Sequence, residues 1–307
     1  MSGAATALAI GGLFFSGAAL AAEPGAAVAW WWWPVGLFLV SFALGVLAVL
    51  GGIGGGVLFV PLVGGFFPFH LDFVRGAGLL LALSGALSAA PRLLRSGLAS
   101  LRLAAPLALV GSITSIVGAL IGFALPVEFV QTALGFTILA IAALMWLGGK
   151  DDRPRVGSQD PLSAALKLHG LYDDPASGRV EWRVHRTPAA LAAFAGIGVL
   201  AGMFGLGAGW ANVPVLNLLM GAPLKLSVGT SGLLLTVIDT SAAWVYLHRG
   251  AVLPMLVAPT VIGVMLGAKI GARLLRVAPT HYVRRAAIAL LVIAGVRSAL
   301  KGLGIWT

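Results

Sequence analysis

Two stretches decide the reading: Gly51-Gly52-Ile53-Gly54-Gly55-Gly56, followed by Pro61, and Gly205-Leu206-Gly207-Ala208-Gly209, followed by Pro214. Gly52, Gly54, Gly56 and Pro61 each have a like residue 153 positions on (205 − 52 = 153). Gly45-Val46-Leu47-Ala48 recurs as Gly198-Val199-Leu200-Ala201 at that offset, and Pro106, Gly118 and Pro126 recur as Pro259, Gly271 and Pro279. Between them the register slips by one, pairing Gly78-Leu79-Leu80-Leu81 with Gly232-Leu233-Leu234-Leu235. Three glycines and three prolines at one offset exceed what a glycine-rich chain supplies by accident. The chain is a duplicated unit.

Around these breaks lie apolar runs at 35–51, 57–68, 72–92, 103–125 and 127–148, and again at 189–204, 210–222, 226–247, 251–273 and 282–303. A helix crossing the hydrocarbon needs about 20 apolar residues. Most runs meet that length. The second run of each half falls short and follows a glycine break, which predicts a broken or re-entrant helix. Composition agrees: 59% of the 307 residues are hydrophobic and 10% charged, with mean hydropathy +1.01, where a soluble domain carries about 25% charged residues. The expected fold is an all-α polytopic membrane protein of two inverted repeats, each of about five membrane segments.

The domain boundaries follow. Residues 1–34 hold an apolar run at 4–22 that ends Ala19-Leu20-Ala21-Ala22, either a cleaved signal peptide or an uncleaved first helix. Trp30 to Trp33 then read as an interfacial anchor. Residues 35–148 are the first repeat, 149–188 a charged linker with a short amphipathic piece at 161–169, and 189–303 the second repeat.

Five spans per repeat require the halves to sit in opposite orientations. Basic residues concentrate on the cytoplasmic side. With the linker cytoplasmic, Arg92, Arg95, Arg102, Arg273, Arg276, Arg284 and Arg285 also fall inside. The matching outer loops hold no Lys or Arg around Pro126–Glu128 and a single Arg249 beside His248. This orients the chain in a membrane, in contact with lipid, and a bacterial inner membrane is the expected location. The net charge of +10 then reflects these loops rather than nucleic-acid binding; no basic domain with stacking aromatics is present.

The doubled glycine break with its proline resembles the sulfite exporter TauE/SafE family of membrane permeases, as do Gly229-Thr230-Ser231-Gly232 entering a span and the spaced Gly263, Gly267 and Gly271. The resemblance covers about residues 35–303 apart from the linker. It implies passage of small sulfur-containing anions such as sulfite or organosulfonates. The chain departs from equal halves in its long linker and in Arg75-Gly76-Ala77-Gly78, which stands where the second half has Gly229-Thr230-Ser231-Gly232.

Broken helices expose backbone N–H groups, tolerated in a membrane only where they are buried in protein or line a wet cavity. A helix restarting after each break would aim its positive end at that cavity. The candidate anion site is therefore Gly54, Gly55, Gly56 and Val57 in the first half with Gly207, Ala208, Gly209 and Trp210 in the second. Asn212 and Asn217 add amides, Thr230 and Ser231 add hydroxyls opening the next span, and Arg75 and Lys269 add positive charge. Close helix packing at the glycines, helix capping by Thr230 and snorkelling of Lys269 are the structural alternatives. Asp239 lies deep in a span, where a carboxylate costs about 2.5–3.5 kcal/mol on insertion scales. It is either a proton-coupling group or one partner of a pair with Lys269 or another base.

Other functions find less support. The chain lacks cysteine, a Gly-x-x-x-x-Gly-Lys-Ser/Thr loop and a His-Glu-x-x-His motif, so no enzyme activity, cofactor or metal site is expected. A membrane scaffold or sensor without transport, and a permease for another small anion such as a carboxylate, remain as alternatives. Exposed glycine faces permit a homodimer.

Overall fold

The computed structural model describes residues 31–51, 55–95, 97, 99–147, 159–174, 178–274 and 280–305. The expected signal segment, Trp30 and Gly54 lie outside the described residues, as do the side chains of Arg92, Arg95, Arg273, Arg276 and Arg284.

The first half contains α1 (Trp32–Gly51), α2 (Gly55–Phe66), α3 (Leu71–Arg95), α4 (Leu101–Ala124) and α5 (Val127–Leu147). A connecting unit follows: α6 (Pro161–Ala165), β1 (His169–Asp174) and β2 (Gly178–Arg183). The second half contains α7 (Thr187–Phe204), α8 (Gly209–Pro214) running into a π-turn (Val215–Leu219), α9 (Leu224–His248), α10 (Pro254–Leu274) and α11 (Thr280–Gly302). Outside the connecting unit, each helix overlaps one expected apolar run. The protein is an all-α polytopic membrane protein. Five of its described helices (α4, α5, α7, α9 and α10) are long and apolar enough to cross a bilayer. Apolar side chains cover the outside, among them Leu109, Ile113, Phe136, Leu144, Trp244 and Ile262.

The short helices are short for local reasons. At about 1.5 Å per residue, the 12 residues of α2 span about 18 Å, well under the ~30 Å hydrocarbon core. Pro61 and Pro214 sit inside α2 and α8. A proline removes one backbone donor and crowds the preceding turn, and after Pro214 the helix widens into the π-turn. The far ends of both elements are tied down by side chains. Arg297 Nε donates to Gly65 O (2.7 Å) and Lys301 Nζ to Gly64 O (3.1 Å) at the end of α2. Asn217 Nδ2 donates to Ala222 O (2.9 Å) after the π-turn. Cations and amides on terminal carbonyls satisfy groups the helix leaves unpaired. Arg297 thereby caps a helix other than its own and sits 4.1 Å from the Phe66 ring centroid.

Helix packing preserves the duplication. α1 packs on α10, and α4 on α7; exchanging the halves converts one pair into the other. The same exchange relates α4–α9 to α3–α10 and α2–α3 to α8–α9, while α5–α11 and α3–α9 map onto themselves. Glycines line both main seams. A Cβ on Gly45 would lie 2.7 Å from Val264 O, and one on Gly198 would strike the backbone of Gly111. These contacts are repeat mates, since 45 + 153 = 198 and 264 − 153 = 111. Gly263 would meet Phe38 O at 2.6 Å, and Gly122 would meet Met203 O at 2.8 Å. Small residues are what lets membrane helices approach this closely.

The connecting unit holds the expected short helical piece, as α6, and a hairpin that was not expected. After α6 the chain forms an antiparallel hairpin, with His169 opposite Arg183 and Asp174 opposite Gly178. Leu168, Trp182 and Val184 are buried in one cluster with Leu103 of α4 and Phe194 of α7. Burying an aromatic and two aliphatic side chains offsets the cost of ordering a charged segment. Asp160 fastens the unit: its carboxylate accepts from Ser163 N–H (3.1 Å) at the start of α6, and from Thr187 N–H (3.3 Å) and hydroxyl (3.0 Å) at the start of α7. Burial disfavours the charge on Asp160, but these donations outweigh it and hold the carboxyl below the usual carboxylate range. His185 N–H donates to Met220 O (3.0 Å), joining the hairpin to the turn beyond the π-turn.

Candidate functional site

The two breaks meet. A Cβ on Gly56, at the start of α2, would lie 2.5 Å from Leu206 O, and one on Gly78 of α3 would lie 2.6 Å from Gly205 O. Neither position tolerates a side chain. Gly205 and Gly207 adopt φ of +68° and +70°, the left-handed region that glycine enters without strain. These angles let α7 stop at Phe204 and α8 start at Gly209. Gly55 packs near Leu81, and the Val57 side chain is wholly buried among apolar neighbours. The first-half break thus supplies backbone and close approach, while the polar groups come from the second half.

Those groups form the most unusual feature of the interior. Asp239 of α9 is fully buried, and neither carboxylate oxygen has a hydrogen-bond partner. Its Oδ2 would lie 2.9 Å from a Cβ on Gly207, so the carboxylate occupies the gap that this glycine leaves. The Ala208 backbone N–H lies nearby but makes no hydrogen bond with it. One turn on, Asn212 is fully buried with both amide atoms unpartnered, and the buried Trp210 Nε1 also lacks an acceptor. Five of the eight unpartnered buried side-chain atoms among the described residues belong to Trp210, Asn212 and Asp239. Proteins satisfy most buried polar groups. A cluster of exceptions on two packed elements, α8 and α9, is the arrangement expected of groups that bind something else. It offers N–H donors from Trp210 and Asn212 and a carboxyl from Asp239.

Other expected site residues lie elsewhere. Asn217 caps the π-turn, as above. Thr230 and Ser231 do not open α9, which starts at Leu224 with Pro223 as its N-cap. They are buried in its second turn, and Thr230 Oγ1 accepts from Ser100 N–H (3.1 Å) at the start of α4. Lys269 is exposed on α10, and among the described residues no ion pair joins Asp239 to a base. The helix at Asp239 is held from the other side by Ser115 of α4, whose hydroxyl donates to Ile238 O (3.1 Å).

Arg75 has a different task from anion guidance at a surface. It is 1% exposed. Its Nη1 donates to Met203 O (2.8 Å) and Gly122 O (3.2 Å), and its Nη2 pairs with Asp72. It thereby caps the carbonyl ends of α7 and α4 at once, a favourable place for a cation in a helix-dipole field. Its guanidinium carbon lies 5.3 Å from the Phe123 ring centroid and 5.8 Å from that of Tyr246. The Tyr246 hydroxyl donates to Gly202 O (2.9 Å). Asp72, Phe123 and Tyr246 escaped the sequence reading. The three-residue spacing of Asp72 and Arg75 was the available signal, since it places both on one helix face.

The polarity is one-sided. Asn212 corresponds to Phe59 (212 − 153) and Asp239, in the slipped register, to Gly85 (239 − 154). The backbone scaffold is duplicated, and its side-chain chemistry is not.

No curated protein and no solved structure matches the chain. Residues 37–298 match the family described as Sulfite exporter TauE/SafE, a span that includes both breaks, both glycine seams and the polar cluster. By that match over nearly its whole length, the protein belongs to the sulfite exporter TauE/SafE family of membrane permeases.

Proposed function

We propose that the protein is a secondary transporter that exports small sulfur-containing anions, such as sulfite or organosulfonates, across a bacterial inner membrane. The observation that carries this reading is the set of unpartnered buried polar atoms of Trp210, Asn212 and Asp239 at the meeting point of the breaks. Family membership supports the substrate class. In this reading the anion accepts hydrogen bonds from Trp210 Nε1 and Asn212 Nδ2, beside backbone that Gly56, Gly78, Gly205 and Gly207 bring into close approach because they carry no side chains. Donors fixed before the ligand arrives bind it without a large ordering cost.

Asp239 is the proton-coupling residue. An unpaired carboxylate in hydrocarbon is costly, and a proton removes that cost. An anion and a proton then share the site on favourable terms, while an anion beside a charged Asp239 is repelled. The halves lie in opposite orientations with the linker cytoplasmic, a reading supported by the packing exchange between the repeats and by the distribution of basic residues. The alternating states open this site to either side.

The test is flux in proteoliposomes for sulfite, sulfate, thiosulfate, a short sulfonate and a carboxylate, with and without a proton gradient. Selective passage of sulfur anions that Gly207→Leu abolishes supports the reading. Equal passage of the carboxylate removes the substrate class, and no flux from folded protein removes transport.

A further inference from the structure

A second polar region lies at the opposite end of α4 from the hairpin. Here a cleft of about 460 Å³ opens between the start of α3, the end of α4 and the turn after α9, lined in part by His70, Asp72, Phe123 and Arg249. Arg249 is exposed. No ion pair engages its guanidinium among the described residues, and its carbon sits 5.8 Å from the Phe123 ring centroid. His70 turns Nδ1 toward Asp72, 3.5 Å from Oδ2 and 3.4 Å from the backbone N–H. Nε2 is the ring atom left for a ligand. Asp72 would oppose an anion, but its charge is committed to the buried Arg75. The cleft therefore presents a guanidinium and an imidazole to solvent, beside a neutralised carboxylate.

A partition of Phe123, Tyr246 and Arg75 lies between this cleft and the second break. Phe123 forms part of the wall and packs on Tyr246, with ring centroids 4.8 Å apart. Tyr246 and Arg75 behind it both bond to the end of α7, at Gly202 O and Met203 O. The Arg75 backbone lies against Gly205 itself, where a Cβ would sit 2.6 Å from Arg75 Cα.

We propose that this cleft is a second anion site, at the outer end of the pathway, in which Arg249 and His70 hold a small oxyanion that has passed or is about to pass the Phe123–Tyr246–Arg75 partition. Its outer placement rests on the transport reading above. Guanidinium and imidazole donors match an oxyanion with several acceptor oxygens. The cleft is larger than such an ion, so the anion keeps part of its water shell, with waters bridging to the walls. Holding it loosely suits a transit site, which must release what it takes up.

The experiment compares sulfite flux in vesicles of opposite orientation, for wild type, Arg249→Gln and Arg249→Lys. Arg249→Gln raises KM from the cleft side about tenfold, the worth of one charge-assisted hydrogen bond, and leaves KM from the hairpin side unchanged. Arg249→Lys restores part of the affinity, because charge survives while the planar fork is lost. Unchanged KM on both sides in Arg249→Gln, with active wild type, overturns the cleft site and leaves the transport reading intact. If wild type carries no sulfite, calorimetric titration of sulfite into the purified protein decides. Binding that disappears in Arg249→Gln retains the cleft and removes transport, and no binding in wild type removes both.

Discussion

The Asp239 carboxylate stands where the side chain of residue 207 would be: a Cβ on Gly207 would lie 2.9 Å from Asp239 Oδ2 and 2.9 Å from Ala82 Cβ. Gly207 also holds φ at +70°. Gly207→Ala therefore suffers twice, from a left-handed backbone costing about 1–2 kcal/mol and from crowding of the carboxylate. The variant is expected to fold with a lowered melting temperature in detergent and to lose most of its flux. Full flux in Gly207→Ala would separate the gap from the pathway.

Asp239→Asn is expected to leave stability unchanged or raise it. The native carboxylate has no partner to lose, and a neutral amide is cheaper to bury than a charge. Flux should continue down an anion gradient and cease to respond to a proton gradient. A destabilised variant would show that Asp239 has a structural partner, and retained proton response would remove its coupling role.

Arg75 makes the opposite prediction. Arg75→Gln leaves Asp72 without its cation and the carbonyls of Gly122 and Met203 without a shared donor. Asp72 is partly exposed and can take up water, so the cost is mainly that of leaving helix-end carbonyls without a donor, about 1–3 kcal/mol. The melting temperature should fall sharply, and Arg75→Lys should recover little, because one ammonium cannot reproduce the fork. Normal stability with weakened anion affinity would return Arg75 to the role of an anion guide.

The hairpin should loosen in acid. The folded state holds the Asp160 carboxyl below its ordinary range, so it binds the proton less readily than the unfolded segment does. Its contribution is complete above the ordinary carboxylate range, about pH 4, and is lost as pH falls through the lowered folded value. Hydrogen exchange of β1 and β2 amides, followed from about pH 7 to about pH 3, should show protection collapsing at the acid end. Asp160→Asn should already show weakened protection near neutrality.

Much of the scaffold could be read in advance because its causes are local. Runs such as 103–125 announce a helix by length and apolarity, and the structure places α4 at Leu101–Ala124. The meeting of Gly56 with Leu206 followed from two halves that share one set of glycines. What escaped was set by partners distant in sequence. Arg75 looks like an interfacial arginine until Met203, 128 residues away, supplies its acceptor. Asn217 looked like an anion ligand until Ala222 O took its amide. The hairpin was hidden by the charge of its segment, although Leu171 and Tyr172 on one side of Asp173–Gly178, and Val180 and Trp182 on the other, carry a strand–turn–strand pattern.

The glycine seams join α1 to α10 and α4 to α7, so each seam takes one helix from each half. During synthesis, α1 and α4 leave the ribosome with bare glycine faces whose partners are still untranslated. Gly45 waits for Val264, and Gly118 for Val199. Residues 32–147 are thus an unfinished intermediate that the membrane must hold until the second half arrives. Neither half is a folding unit by itself, and severing the chain in the connecting unit should leave two fragments that mature only when produced together.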